Sequence, residues 1–393
     1  MKEIIIYEEN ENKTIMYLEN QRILEKYEES EENRTIEGNI YIGKVQNILS
    51  GLQAAFIDLG NGKNAFIHLK DILPKRNIVT EPEVDEAEQK LKIKDFIKPG
   101  MPIIVEVKRD ETLNKGARVS THISIKGRFI VYMPNATFIT VSQKITNKEK
   151  REELIAIAKK YLPENTGAII RTVSEEASEK EIAEDINAQV DKWEKLKKQE
   201  VYEYPKKLFD AGGIIKKIII DLADNSLDRI VVNSEEMRYR VNAILSEINK
   251  DIKIVVTKEN ILDWYNIRKE LQESNNRKIW LKNGGFITID KTEALTAIDV
   301  NSGKFVGKNN LEETIFQVNE QAAIEIAKQI RLRDIGGIIL IDFIDMHIDE
   351  HKNKIIKVMK EYTKNDRSRV QIEEFTKLNL LELTRKHICS NYK

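Results

Sequence analysis

The chain has 393 residues, 41% of them hydrophobic and 33% charged, a globular composition long enough for several domains and neither fibrous nor disordered. Sixty-four Lys and Arg against 65 Asp and Glu give a formal charge of −1, without the basic excess that usually marks a nucleic-acid binder. The single cysteine, Cys389, excludes an internal disulfide framework and a four-cysteine zinc site and fits a reducing, cytoplasmic setting. No apolar run approaches the roughly 18 residues that span a membrane.

In chain order, two short strands at 3–7 and 14–19 flank an Asn-rich turn. Residues 25–37 are dense in Glu and read as a solvated loop or ragged strand end, within a segment 1–37 that carries 5 basic and 11 acidic side chains. Strand-like stretches follow at 39–49, 54–59, 65–69, 101–108 and 117–123, separated by glycine turns that include Asn114-Lys115-Gly116. Five short strands of this kind suggest a small OB-type barrel, with the charged stretch 81–94 as an excursion between strands. Residues 127–215 add strands at 129–133, 138–141 and 168–173 and helices at 148–161 and 179–201. Here the charge reverses, with 13 basic and 7 acidic side chains over 101–171.

Residues 214–272 alternate between strands at 217–222, 229–232 and 252–256 and helices at 234–248 and 261–271, an α/β layer pattern able to recruit the N-terminal strands. A second α/β unit begins at Lys278. It has a hairpin of 286–289 with 294–300, a helix at 311–332 capped by Asn310 and Glu313, a buried strand 338–341 after Gly336-Gly337, a helix 351–362 and a strand 370–372.

Two strand ends carry the strongest chemistry. Leu295–Asn301 and Ile338–Asp342 each close an apolar run with a carboxylate, Asp299 and Asp342, which is costly unless paired, hydrogen-bonded or bound to a cation. Asp299 and Asn301 share a face by the period-two rule. Two carboxylates, an amide oxygen and waters suit a hard cation such as Mg²⁺; the competing reading is that both aspartates only end strands and cap turns. Asp345 falls on the opposite face if the strand continues, and reads as a turn or cap residue. Asp290 reads as a turn residue. His347 and His351 lack the HExxH context, and the sequence has no P-loop, GxGxxG or GxSxG. Trp193, Trp264 and Trp280 read as core or interface anchors rather than stacking platforms.

Phe56 and Phe66 lie on consecutive barrel strands, where such aromatics stack single-stranded bases beside Lys44, Lys63, Lys108, Arg109, Lys115 and Arg118. The same pattern equally fits two rings that fill the barrel interior. Arg171-Thr172 offers guanidinium and hydroxyl donors for a phosphate, or else forms a strand-end surface pair.

Taken together, TEALTAIDVNS at 292–302, RLRDIGGIILIDFIDM at 331–346, LLELTR at 380–385, NKGA at 114–117 and GAIIRT at 167–172 resemble the ribonuclease E/G family over nearly the whole chain, from Asn39 to His387. The resemblance implies an α/β multidomain plan. A discontinuous ribonuclease-H-like domain (1–37 and 214–275) carries an inserted OB-fold RNA-binding domain (38–124) and a 5′-sensor domain (125–213). A DNase-I-like catalytic domain (276–393) follows.

It further implies that Asp299 and Asp342 hold a catalytic Mg²⁺, with Mn²⁺ as an alternative ion, and that Asn301 orients the site. Metal-assisted in-line attack of water then leaves a 5′-phosphate and a 3′-hydroxyl. Phe56, Phe66 and Lys115 match the family's RNA-contacting positions, and Arg109 stands where the family often has Lys. Gly127, Val131, Arg171, Thr172 and Arg369 match its 5′-monophosphate pocket. The implied function is endonucleolytic cleavage of single-stranded, AU-rich RNA in rRNA and tRNA processing and mRNA decay. The alternative is a non-catalytic RNA-binding relative.

Two departures stand out. The family's CPxC zinc-link motif is absent, so no zinc is expected and a homo-oligomer has to form without that link. The long C-terminal scaffold of the E type is also absent, which brings the sequence nearer to the G type.

Overall fold

The computed structural model describes residues 1–10, 12–30, 34–72, 91–111, 115–199, 203–223, 226–248, 250–303 and 311–389. The proposed cap Asn310, the turn residue Asn114 and residues 81–90 of the charged stretch lie outside the described residues. The fold is mixed α/β and divides into two compact units, Met1–Asn33 with Ala223–Ala243 and Asp251–Tyr392, and Arg34–Leu222 with Ile244–Lys250.

The first unit contains two sheets. In one, Lys253–Val256, Arg229–Val232 and Lys2–Glu9 run parallel, and Lys2–Glu9, Asn12–Glu19 and Arg22–Glu29 form an antiparallel meander. The stretch read as a solvated loop or ragged strand end does begin with the end of a strand, but it is not all solvated: Glu25 is fully buried and Glu29 nearly so. Glu25 accepts hydrogen bonds from Arg331, Arg367 and Tyr27. Burial alone would raise its pKa, but the Arg367 and Arg331 guanidiniums hold it below the usual glutamate value.

The second sheet runs Lys278–Trp280, Phe286–Lys291, Leu295–Asn301, Gly337–Asp342, Leu380–Arg385, Val370–Phe375, with only the central pair parallel. Its alternation gives it two unlike faces. Ile287, Ile289, Ile298, Val300, Ile339, Ile341, Leu381 and Leu383 are buried in one cluster with Val318, Ala322, Ile326 and Ile330 of helix Leu311–Leu332 and Ile355 and Met359 of helix Asp349–Thr363. Each such aliphatic side chain contributes about 1.5–3 kcal/mol on burial, and together they hold the sheet against its helices. The opposite face carries Thr288, Ala297, Asp299, Ile338, Asp342 and Glu382, all exposed or half-buried.

In the second unit, strands Ile40–Leu49, Ala54–Asp58, Ala65–His68, Arg118–Ser120 and Pro102–Arg109 close into a five-stranded barrel, because Ile40–Leu49 pairs with both Ala54–Asp58 and Pro102–Arg109. This is the expected OB-like architecture. A four-stranded sheet of Ile139–Val141, Gly167–Ile170, Ile130–Met133 and Ile125–Lys126 packs on helices Lys148–Tyr161 and Glu179–Lys197.

The expected strand at 217–222 is instead the end of a helix, Gly213–Leu222. Ile214, Ile215, Ile218 and Ile219 are among its buried residues, at i, i+1, i+4 and i+5, a helical stripe that a short run of β-branched residues disguises. The expected helix 261–271 is two short ones, Ile261–Trp264 and Arg268–Glu273, broken where Asn266 takes a φ of 53°. Among the described residues, no helix is long and apolar enough to cross a membrane.

Candidate active site and nucleic-acid interface

Asp299 and Asp342 are direct register partners on adjacent parallel strands, so both carboxylates stand on the uncovered face. Asn301, two residues along, donates from its amide nitrogen to Asp299 Oδ2 at 2.6 Å. Its own carboxamide is thereby oriented, and Asp299 keeps its second oxygen for other contacts. The Asp342 carboxyl is pushed above the ordinary aspartate value, by partial desolvation first and then by the charges of Asp299 and Asp345.

Asp345, read as a turn or cap residue, lies outside the strand, so the opposite-face alternative does not arise. The strand stops at Asp342, and Asp345 sits in the irregular stretch after it, hydrogen-bonded by Asn379. That stretch is braced by a residue the sequence did not single out. Asn319, fully buried on helix Leu311–Leu332, donates to the Ile344 carbonyl at 2.8 Å and accepts from the Ile344 N–H at 3.1 Å. Asp290, read as a turn residue, lies within a strand and pairs with Arg277.

The donor set fits a hard divalent cation. Two repelling carboxylates and an amide face one side, and an added positive charge relieves the repulsion. Among the described residues no group of three or more His, Cys, Asp or Glu side chains could hold a metal. Such a site matches the way Mg²⁺ is held, by one or two carboxylates with waters and substrate phosphate oxygens filling the rest of its shell.

On the barrel, the structure removes one of the two readings of Phe56 and Phe66, that the rings fill the interior. Ala55, Ile57, Ala65 and Ile67 fill the interior, so the alternating Phe56 and Phe66 point outward. They are register partners with ring centroids 6.2 Å apart in an edge-to-face arrangement. Lys115 is exposed, and the next residue shows why a glycine follows it: a Cβ on Gly116 would meet the Asn64 carbonyl at 2.0 Å. This close approach, with the Phe66 N–H donating to the Ala117 carbonyl at 2.7 Å, seats the Lys115 turn beside Phe66. Arg109 is exposed and pairs in register with Arg118, which is itself held by Asp71. Lys108 is committed to Glu106 and Ser124.

In the four-stranded sheet, Gly127, Arg171 and Thr172 come together. Arg171 donates from Nη1 to the Gly127 carbonyl at 2.9 Å and from Nη2 to Asp221 at 2.5 Å. The Thr172 hydroxyl lies 2.8 Å from that of Ser142. Val131 sits on the neighbouring strand, opposite Ile169. A Cβ on Gly127 would collide with the Asp185 carboxylate, which accepts from the N–H groups of Arg128, Phe129 and Ile130 and from Gln189. Neither Asp185 nor Asp221 was legible from sequence spacing, since each comes from a separate helix. Arg369 belongs to the first unit, exposed just before strand Val370–Phe375.

Cys389 is buried, and its N–H donates to Asp334 at 2.8 Å. Asp334 also receives the Ile388 N–H and the fully buried Arg385, anchoring the segment that follows the last strand.

Comparison with known proteins agrees with this arrangement. The Ribonuclease E/G family model matches residues 124–388. Ribonuclease G of Escherichia coli is 36% identical over 382 residues, covering 95% of this chain and 77% of that protein. Ribonuclease E of Synechocystis is 35% identical over 365 residues, covering 90% of this chain and 52% of that protein. A putative ribonuclease E of Buchnera aphidicola is 34% identical over 386 residues, covering 96% and 93%. With the family model spanning most of the chain and these relatives covering 90–96% of it, the chain belongs to the ribonuclease E/G family.

Proposed function

We propose that this protein is an endoribonuclease of RNA processing and decay. It cuts single-stranded, AU-rich RNA with the help of Mg²⁺, leaves 5′-phosphate and 3′-hydroxyl ends, and is stimulated by a 5′-monophosphate. The observation that carries the reading is the register pair Asp299–Asp342 with Asn301 bonded to Asp299, on the uncovered face of a sheet in a chain of this family. When bound there, a divalent cation would neutralise charge on the scissile phosphate and lower the pKa of water.

The protein's own side chains divide the remaining work. Asp299 and Asp342 would hold the cation, and Asn301 fixes the rotamer of Asp299. Phe56 and Phe66 would stack bases outside the barrel, with Lys115 and Arg109 near the phosphates. Gly127, Val131, Arg171 and Thr172 would receive the 5′-phosphate. On this reading the sheet containing Lys2–Glu9 is the ribonuclease-H-like domain (1–37 and 214–275). The barrel is the OB domain (38–124), residues 125–213 form the 5′ sensor, and 276–393 form the DNase-I-like catalytic domain. The functional unit would be a homo-oligomer.

The test is cleavage of an AU-rich oligonucleotide with and without Mg²⁺, followed by end-group analysis. Wild-type protein should cut only with the metal, and folded Asp299→Asn and Asp342→Asn variants should not cut. Undiminished cleavage by either variant refutes the site.

A further inference from the structure

The uncovered face of the sheet bearing Asp299 and Asp342 carries an aromatic patch that the roles above leave unused. Strand Lys278–Trp280 forms one edge of the sheet, and only its middle residue, Ile279, packs on the core. Lys278 and Trp280 therefore project to the same side as the aspartates. Trp280 is 58% exposed, a large apolar surface to leave in water on a sheet whose other face is well packed. Its ring meets Phe286 edge-to-face, with centroids 5.3 Å apart. The Lys278 ammonium lies 3.5 Å from the Phe286 ring centre and 4.2 Å from that of Trp280. Among the described residues Lys278 makes no ion pair with a carboxylate.

The strand register places this group relative to the aspartates. Lys278, Thr288, Asp299 and Asp342 are successive partners across four strands, forming one row. Trp280, Phe286 and Asn301 form the adjacent row. With strands about 4.8 Å apart, Lys278 and Trp280 lie about 10 Å from Asp299 and Asn301 respectively. The intervening row positions, Thr288 and Phe286, are small or flat. A strand of RNA whose phosphate sits at Asp299 and Asp342 can run along these rows, placing a neighbouring base over Trp280.

We propose that Trp280, Phe286 and Lys278 form a stacking platform that holds a nucleobase next to the scissile phosphodiester. Trp280 supplies the flat surface, Phe286 buttresses it at right angles, and Lys278 polarises both rings and meets the adjoining phosphate. A protein or lipid partner is the weaker fit, because the patch is small, flat and continuous with the carboxylate pair. The platform is sequence-tolerant, since every base has a π-face. It acts on the register of the RNA rather than on the chemical step. The inference rests on the ribonuclease reading of Asp299 and Asp342, so its test uses binding as well as cleavage.

The experiment measures binding of 3′-labelled single-stranded oligonucleotides to the full chain in the presence of a chelator. In parallel, a single abasic nucleotide is moved through the sequence. Trp280→Ala should bind intact RNA about 5- to 100-fold more weakly, while Trp280→Phe recovers most of the affinity. At one abasic position wild-type affinity should drop by a similar factor, and Trp280→Ala should lose nothing further there. Lys278→Gln should flatten the dependence of log affinity on log salt by about 0.7. Equal affinities of wild type and Trp280→Ala for intact RNA, or abasic losses that are additive with the substitution, overturn the platform. Wild-type protein that binds but never cuts refutes the nuclease reading while the Trp280 comparison still decides the platform, and wild-type protein that does not bind refutes both.

Discussion

Replacing Asp299 with Asn removes one of two negative charges that the strand register holds side by side. In an unbound site this should stabilise the protein even as it abolishes cleavage. With the strands about 4.8 Å apart, two unit charges near 5 Å repel by about 0.8 kcal/mol at the dielectric of water and by about 3 kcal/mol at an effective value of 20. Both aspartates are solvent-exposed, so screening keeps the figure near the lower end, at about 0.5–1 kcal/mol.

The sign follows from Asp342, whose folded-state pKa lies above the ordinary value of 3.8. Folding then favours the protonated form, so the penalty is absent below pH 3.8 and grows as pH rises through the folded-state pKa, being complete at neutrality. At pH 7 in chelator, Asp299→Asn should melt higher than wild type by about 1–4 °C. Adding Mg²⁺ to ten times its dissociation constant should then stabilise wild type by about 1.4 kcal/mol and leave the variant almost unmoved. Thermal melts with and without metal, each paired with a cleavage assay, measure both. A variant that melts lower than wild type in chelator, or that gains as much as wild type from Mg²⁺, refutes the claim that the two carboxylates repel and jointly bind the ion.

Arg171→Ala should erase any preference for 5′-monophosphate over 5′-hydroxyl RNA, whereas Asp221→Asn, which releases a carboxylate from the same guanidinium, should enlarge it; the ratio of cleavage rates on the two substrates reads both. Phe66→Ala should weaken binding of single-stranded RNA about 5- to 100-fold with a melting temperature near that of wild type, since the ring is outside the barrel core; fluorescence anisotropy and a melt decide it. Glu25→Gln leaves Arg331 and Arg367 without their buried counter-charge and should cost about 3–5 kcal/mol in urea unfolding. Because the Glu25 carboxyl sits below its ordinary value of 4.5 in the fold, the wild-type advantage should be present above pH 4.5 and fade as pH falls toward the lowered value.

The elements legible in the sequence were those whose hydrophobic period is unambiguous. Helices Lys148–Tyr161 and Leu311–Leu332 and strand Arg229–Val232 lie at their expected bounds. The barrel followed from short alternating strands and glycine turns. The misread segments have two causes, a local pattern that suits two states and a partner that is distant in sequence. Gly213–Leu222 looked like a strand because isoleucines suit both states. Glu25 looked solvated because its partners are remote in sequence, and 306 residues separate it from Arg331, the nearer of the two arginines. Trp280, read as a core or interface anchor, is not in the core: it is the most exposed of the three tryptophans. The Asp299–Asp342 pairing is a different case. Each residue was visible as a carboxylate closing an apolar strand, but only the parallel register of those two strands sets them side by side.

Net charge looked at first like an argument against nucleic acid, and the fold shows why a sum over the whole sequence misleads. Glu3, Glu25 and Glu29 are buried acids of the N-terminal sheet. Glu3 is engaged by Arg229 and Tyr265, and Glu25 by Arg331 and Arg367, so part of the acidic total is already neutralised inside the first unit. Buried, paired charges contribute little to the field that a polyanion meets at the surface. What such a ligand would meet instead, on the proposed reading, is local: Lys115 and Arg109 on the barrel, Arg171 in the four-stranded sheet, and Lys278 with Trp280 on the face that carries Asp299 and Asp342. The Asp299–Asp342 pair on that face is the exception that fits the chemistry. A bare carboxylate pair repels a phosphate, and a bound divalent cation reverses that sign, so metal binding and RNA binding at this face should be mutually reinforcing.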